Sequence, residues 1–292
     1  MIICPNCNLG RLKENKAGLF CDNCDYVLES KNGVLSFIDW NEEDLYYDKE
    51  GIEFLKKFES DHFWFRLRKE LILSKFLKYF APDSKILELG SGTGDIALSL
   101  KNLGYDVSIG EFHLNGLKYA AQNGIKKAYQ LDILKNPFKN HFDVVGFFDV
   151  LSHIEDEKKA VKNIVDSVSV GGYVIGTFPA HQWLWYRGDR VINNHKKRYE
   201  VKEIKSLFED AGIKTIEAKT FFVGLLPILL IRSLLKKDDA SCVKEHEKKE
   251  LNASINPIVN KIFYYFLKLE LLLLKKFSFK VGGSILYIGQ KI

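Results

Sequence analysis

Residues 85–95 read Lys-Ile-Leu-Glu-Leu-Gly-Ser-Gly-Thr-Gly-Asp, and no other stretch of the chain restricts its fold so tightly. Ile86, Leu87 and Leu89 make a short apolar strand with Glu88 set inside it, and Gly90, Gly92 and Gly94 follow at alternate positions. Asp95-Ile96-Ala97-Leu98-Ser99-Leu100 then opens a helix. Glycine accepts backbone angles closed to other residues, so the spacing predicts a tight strand-to-helix turn whose main chain can approach a ligand closely. A dinucleotide fingerprint spaces its glycines G-x-G-x-x-G around a pyrophosphate on a helix N-terminus. The spacing here is G-x-G-x-G.

The loop sits in a longer pattern. From about Phe63 to Glu217 apolar strands alternate with amphipathic helical segments, which predicts an α/β fold with a doubly wound, mostly parallel sheet. A second strand at 105–111 ends in Glu111, about twenty positions after the loop, where a carboxylate can accept both hydroxyls of a ribose; Phe112 follows and can lie against a base. A third strand at about 128–131 ends in Asp132-Ile133, and a fourth at 142–148 ends in Asp149-Val150-Leu151-Ser152-His153. Asp149 reads equally well as the cap of a following helix. Gly171-Gly172 turns into a fifth strand ending at Phe178.

Five such segments in this order, from Ile86 to Phe178, resemble the class I, Rossmann-like S-adenosylmethionine-dependent methyltransferases of the type 11/12 kind. The resemblance implies a seven-stranded sheet and S-adenosyl-L-methionine as cofactor. It implies cofactor contacts from Glu88, Gly90, Ser91, Gly92 and Gly94 in the first motif, and from Glu111, Phe112, Asp132, Ile133 and Asp149 beyond it.

After the fifth strand comes Pro179-Ala180-His181-Gln182-Trp183-Leu184-Trp185-Tyr186-Arg187-Gly188-Asp189-Arg190, then His195-Lys196-Lys197-Arg198-Tyr199. This segment should cover the carboxyl edge of the sheet, where ligands bind in open α/β folds. Aromatic faces beside cations suit sugars, bases or a sulfonium; a packed lid that buries its own aromatics is the plainer reading. With His62-Phe63-Trp64-Phe65-Arg66, it resembles a methyltransferase subgroup associated with glycan or lipid-linked-saccharide metabolism. That resemblance implies acceptor-side roles for Trp183, Asp189, Arg198 and Tyr199. If the acceptor is a hydroxyl, a histidine near neutral pKa suits the removal of its proton, and His195, His181 and His153 are the candidates in that order.

Cys4-x2-Cys7 and Cys21-x2-Cys24 form two knuckles with turn residues Pro5-Asn6 and Asp22-Asn23 between the sulfurs. Two such pairs complete a tetrahedral S4 site suited to structural Zn2+, and so small a module needs that metal to fold. The fifth cysteine, Cys242, stands alone, so a reducing compartment is expected rather than a disulfide framework. No secretory signal is visible at the N-terminus, and the net charge of +5 permits an acidic partner without demanding one.

The organisation expected is a zinc ribbon at 1–38, linker and helices at 39–84, the cofactor-binding core at 85–219, an apolar helical insertion at 220–283 and a last strand at 284–292. The insertion holds two apolar runs, Phe221 to Ile231 and Ile258 to Phe279, separated by a charged run from Lys236 to Glu250. The first is too short for a spanning helix, which needs roughly 20 apolar residues. Lys261, Lys268 and Lys275 form one stripe on the second run, the pattern of an interfacial helix, whereas Glu270 opposite them favours a helix packed on the core or on a second copy. The function expected is methyl transfer to a small or lipid-linked acceptor, including a saccharide, by a cytoplasmic protein at the inner membrane face. An RNA methyltransferase using the ribbon, and a cofactor-binding scaffold, are the alternatives; the modest charge speaks against nucleic acid.

Overall fold

The structure is a computed structural model and describes residues 1–15, 18–38, 49–191, 195–235, 255–273 and 279–292. Cys242, Lys275 and the Lys236–Glu250 run lie outside the described residues. Four short strands come first: β1 (Leu12–Glu14), β2 (Gly18–Cys21), β3 (Val27–Lys31) and β4 (Val34–Ser36). Helices α1 (Lys49–Asp61) and α2 (Phe63–Tyr79) follow. The βα units are β5 (Lys85–Leu89), α3 (Asp95–Asn102), β6 (Asp106–Glu111), α4 (Leu114–Gln122), β7 (Lys127–Gln130), β8 (Phe142–Phe148), α5 (Glu157–Ser167) and β9 (Val168–Pro179). The chain then runs through α6 (Arg187–Val191), α7 (Val201–Glu209), β10 (Ile213–Phe221), α8 (Leu226–Leu235), α9 (Pro257–Leu273) and β11 (Ser284–Lys291).

The strands line up as β1-β2-β3-β4-β7-β6-β5-β8-β9-β11-β10. Strands β5 to β9 pair in parallel, and β11 runs antiparallel between β9 and β10. Both faces of the parallel strands are covered, so alternate residues serve two cores. Ile86, Ile109 and Val144 pack on one side with Leu67, Ile72 and Phe76 of α2. Leu87, Leu89 and Phe147 pack on the other with Ile164 of α5 and Phe208 of α7. Chain order reverses beside β5, which has β6 on one flank and β8 on the other, and this is the crevice where doubly wound sheets bind ligands.

The seven strands of the class I arrangement are extended at one edge. Strand β4 pairs in parallel with β7, so the sheet continues without a break into the N-terminal hairpins. That module is also tied by an Ile2–Phe138 bridge and by the Ile3 N–H, which donates to the Pro137 carbonyl at 2.9 Å.

Helix α9 packs across α2: the Phe63 and Phe263 rings stack at 5.3 Å, and the Tyr264 hydroxyl donates to Glu70 at 2.5 Å. Glu270, whose position on the apolar run looked anomalous, is buried and accepts the main-chain N–H groups of Val223 and Gly224 at 2.9 and 2.8 Å. It thus neutralises donors at the turn that leads into α8. No helix among the described residues is long and apolar enough to cross a membrane.

Candidate cofactor and methyl-transfer site

Gly90, Gly92 and Gly94 all adopt left-handed φ angles, of 67°, 56° and 78°, as the alternate spacing requires. Helix α4 comes so close to this loop that a Cβ on Gly116 would lie 2.2 Å from the Gly92 carbonyl oxygen. Glu111, buried at the end of β6, fastens the loop. Its carboxylate accepts the N–H of Gly92 at 2.9 Å, of Phe112 at 2.8 Å and of His113 at 3.0 Å. Beside it the Phe112 ring is 55% exposed, a flat apolar surface at the mouth of the crevice. Asp132 spends one carboxylate oxygen on the Leu134 N–H at 2.8 Å, capping a short turn that begins at half-buried Ile133. These groups make one subsite able to hold a nucleoside.

On the other side of the glycine loop the polar groups lack partners. Glu88 Oε2, Ser91 Oγ and Thr177 Oγ1 are buried with no hydrogen-bond partner among the described residues. Burial pushes the Glu88 carboxyl well above the usual carboxylate range. Buried polar atoms are nearly always satisfied, so orphans gathered at the carboxyl ends of β5 and β9 mark a place for a polar ligand. Arg68 of α2 reaches in over the Trp64 ring, 4.5 Å from its centroid, and pairs with Asp149. Its Nε is buried and unpartnered. Lys69 pairs with Asp95 at 2.8 Å, and Thr93 Oγ1 donates to Glu59 at 2.5 Å, so α1 and α2 are strapped across the loop. Burial lifts the Glu59 carboxyl to about 7.

Sequence reasoning missed Glu59 and Arg68. For Arg68 a signal existed: it shares a helical stripe with Ile72 and Phe76, both fully buried, and a cation on an apolar stripe needs a partner.

Asp149 does not start an α-helix. It has a φ of 61° and leads into a single 3-10 turn, Leu151–His153, with α5 beginning only at Glu157. His153 is exposed on that turn, and its ring meets the His195 ring edge-on at 4.8 Å. His195 is the more enclosed of the two, with Nδ1 buried and without a hydrogen-bond partner among the described residues. Burial, then the neighbouring His153, lowers its pKa to about 4, so the ring is neutral and has a free nitrogen.

His181 is arranged differently. Its Nε2 accepts the Gly282 N–H at 3.3 Å, which leaves the Nδ1 hydrogen for Glu200 at 2.9 Å. Both ring nitrogens are occupied in fixing the lid to β11's approach, and the ring stacks on half-exposed Trp183 at 5.2 Å. Asp189 and Arg198 serve one another. Arg198 Nε and a terminal nitrogen donate to the two Asp189 oxygens at 2.6 and 3.0 Å, and Asp189 is 0% exposed. A forked, buried pair of this kind is a fixed strut for the lid. Tyr199 is buried too, edge-on to Phe178.

Away from the crevice, the Sγ atoms of Cys4, Cys7, Cys21 and Cys24 all lie within 4.8 Å of one another. The Cys4–Cys24 and Cys7–Cys21 separations are 3.8 and 3.7 Å. Zinc–sulfur bonds of about 2.3 Å in a tetrahedron have edges of about 3.8 Å, so the donor set and its spacing fit Zn2+. Main-chain N–H groups of Gly10 and Asn23 donate to Cys7 and Cys21 at 3.2 and 3.3 Å, as thiolate ligands need.

Comparison with known proteins agrees with this architecture. A family described as a methyltransferase domain matches residues 59–218. A ubiquinone biosynthesis O-methyltransferase from Rickettsia canadensis is 26% identical over 173 residues, covering 52% of this chain and 73% of that protein. Among solved structures, phosphoethanolamine N-methyltransferase 2 of Haemonchus contortus with S-adenosyl-L-methionine superposes with a TM-score of 0.56 at 19% identity, over 84% of this chain and 58% of that one. An S-adenosylmethionine-dependent methyltransferase from Archaeoglobus fulgidus gives 0.54 at 18% identity, over 84% of this chain and all (100%) of that one. The family match spans more than half of the chain, and this protein therefore belongs to the methyltransferase-domain family, with the fold of the class I enzymes.

Proposed function

We propose that this enzyme transfers the methyl group to a hydroxyl of a lipid-linked or otherwise amphipathic acceptor, working at a membrane surface. The observation that carries the hydroxyl is His195, a neutral enclosed imidazole with a free nitrogen beside Asp149 at the carboxyl edge of β8. The curated relatives named O-methyltransferases support the same acceptor atom. In this reading Glu111 receives the ribose hydroxyls, Phe112 flanks the adenine, and Asp132 faces its amino group. Arg68 meets the cofactor carboxylate, and Glu88, Ser91 and Asp149 line the methionine end. S-adenosylmethionine brings an already activated methyl carbon, so the protein's share is alignment, exclusion of water and removal of one proton. His195 takes the acceptor proton; Trp183, exposed on the lid, contacts the acceptor body. His181, Asp189, Arg198 and Tyr199 hold the lid in place.

The membrane assignment rests on α8 and α9. Of the 23 exposed large apolar residues described, 12 lie on these two helices. On α9 they form one outward face: Ile258, Ile262, Tyr265, Leu269 and Leu272, flanked by Val259, Phe266 and Leu273. Lys261 borders that face on one side, where cations meet lipid headgroups; Lys268, on the same side, is paired with Glu70 of α2 at 3.2 Å. A patch of this extent on a soluble surface marks an interaction site. The four cysteines we assign to structural Zn2+.

Two experiments test these readings. The full chain, incubated with methyl-labelled S-adenosylmethionine and a membrane lipid extract, is expected to move label into the organic phase as a methyl ether. Label found only in RNA or only in water-soluble product overturns the acceptor class. Separately, the protein should co-sediment with phosphatidylglycerol-containing vesicles, and the exposed pair Ile262→Asp with Leu269→Asp should lose at least tenfold in binding, since each side chain contributes about 1.5–3 kcal/mol of burial. A stable dimer in light scattering that those substitutions split, with no vesicle binding, would sink the membrane reading.

A further inference from the structure

Ser36, Gln130 and Glu111 stand side by side on three adjacent strands. The register pairs Ser36 of β4 with Gln130 of β7, and Gln130 with Glu111 of β6. All three are buried. The Gln130 carboxamide bridges the gap: its Oε1 lies 2.8 Å from Ser36 Oγ, whose one hydrogen it shares with the Ile38 carbonyl at 2.6 Å, and its Nε2 donates to the Phe112 carbonyl at 3.1 Å. The Phe37 N–H adds a main-chain bond to the Gln130 carbonyl at 2.8 Å. Phe112 has its own N–H bound by Glu111, and its ring is more than half exposed, so main-chain contacts rather than core packing hold it. One end of this line is therefore the nucleoside subsite.

Its other end is the cysteine module. Strand β4 pairs with β3, β3 with β2, and β2 closes on Cys21. A buried carboxamide without its partners is disfavoured, so withdrawal of β4 leaves Gln130 free to turn away from Phe112.

We propose that Ser36 and Gln130 are positioning residues for the nucleoside end of the cofactor site, and that the four-cysteine module acts through them as a built-in prop that sets cofactor affinity. This rests on the assignment of Glu111 and Phe112 to the nucleoside. It gives the module a role within the chain itself, with no nucleic acid or protein partner required.

The test is calorimetry on the full chain with two ligands, S-adenosylhomocysteine and 5′-methylthioadenosine, which shares the nucleoside but has no amino acid end. Ser36→Ala and Gln130→Leu should weaken both ligands by the same factor, about tenfold, the loss of one hydrogen bond to a buried group. Ser36→Thr, which keeps the hydroxyl, should bind both as the unmodified chain does. Arg68→Lys, at the opposite end, should weaken S-adenosylhomocysteine alone. Stripping metal with a zinc chelator should reproduce the Ser36→Ala pattern. If Ser36→Ala and Gln130→Leu, folded by their circular dichroism, bind both ligands within twofold of the unmodified chain, the positioning role is overturned. Metal removal that leaves both affinities unchanged overturns the link to the module. An unmodified chain that binds neither ligand overturns the cofactor-site assignment instead.

Discussion

Glu111→Ala is expected to lower S-adenosylmethionine affinity by roughly 10²–10⁴, measured by titration calorimetry on folded protein. Two hydroxyl donors to one carboxylate are worth about 1.5–3 kcal/mol each, and about 1.4 kcal/mol is a factor of ten in binding. The carboxylate also holds the N–H groups of Gly92, Phe112 and His113, so its loss releases both the glycine loop and the base-flanking residue. Glu111→Gln separates the two contributions. Its one carbonyl oxygen can still accept, while its amide hydrogens face N–H groups that need an acceptor, so it should fall between the parent and the alanine variant. Binding by Glu111→Ala within threefold of the parent would remove the ribose from this carboxylate. Gly116→Val should be equally severe by another route, because its first side-chain carbon would collide with the Gly92 carbonyl, a backbone atom that cannot step aside.

What could be read from the chain beforehand was what neighbouring residues encode. The turn at Gly90–Gly94, the carboxylate closing β6 and the successive strand and helix segments whose alternation predicts a doubly wound sheet are each encoded by short runs of neighbouring residues. The two cysteine knuckles belong to the same class. What escaped was pairing across long stretches of chain. Val34-Leu35-Ser36 reads as a fragment of extended chain, and nothing local says that it adds to the core sheet beside a residue 94 positions away.

The lid shows the same limit in its electrostatics. His181, Asp189 and Arg198 are residue types that bind ligands, and their density after a fifth strand is a fair reason to read them that way. Whether a polar group faces a ligand or a partner depends on burial, which a sequence gives only for long periodic segments. Here Asp189 finds Arg198 nine positions on, and His181 finds Glu200 and the Gly282 main chain. Glu270 is the converse case: a residue that looks misplaced on an apolar helix is satisfied by two N–H groups of a turn more than forty positions earlier.

His195→Asn is expected to reduce the rate of label transfer to the acceptor by about 10²–10⁴, the range for loss of a positioned proton acceptor, while leaving S-adenosylhomocysteine affinity within twofold. The pH profile distinguishes a base from a mere wall of the pocket. Burial lowers the His195 pKa to about 4, against about 6.5 for an ordinary histidine, because the charged ring loses its hydration and faces His153. A lowered pKa means that the neutral, proton-accepting ring persists to lower pH. Transfer at limiting acceptor should therefore stay level from pH 8 down to about 5 and fall only as pH approaches 4. A profile already half lost near 6.5 would point to an exposed histidine, and His153 is the one beside it. A base this weak suits methyl transfer, because the hydroxyl becomes strongly acidic only as the new carbon–oxygen bond forms, so the proton need leave no earlier than that. His153→Ala gives the matching control. It removes the neighbour that depresses His195, so the acid limb should move upward in pH while the plateau rate is kept.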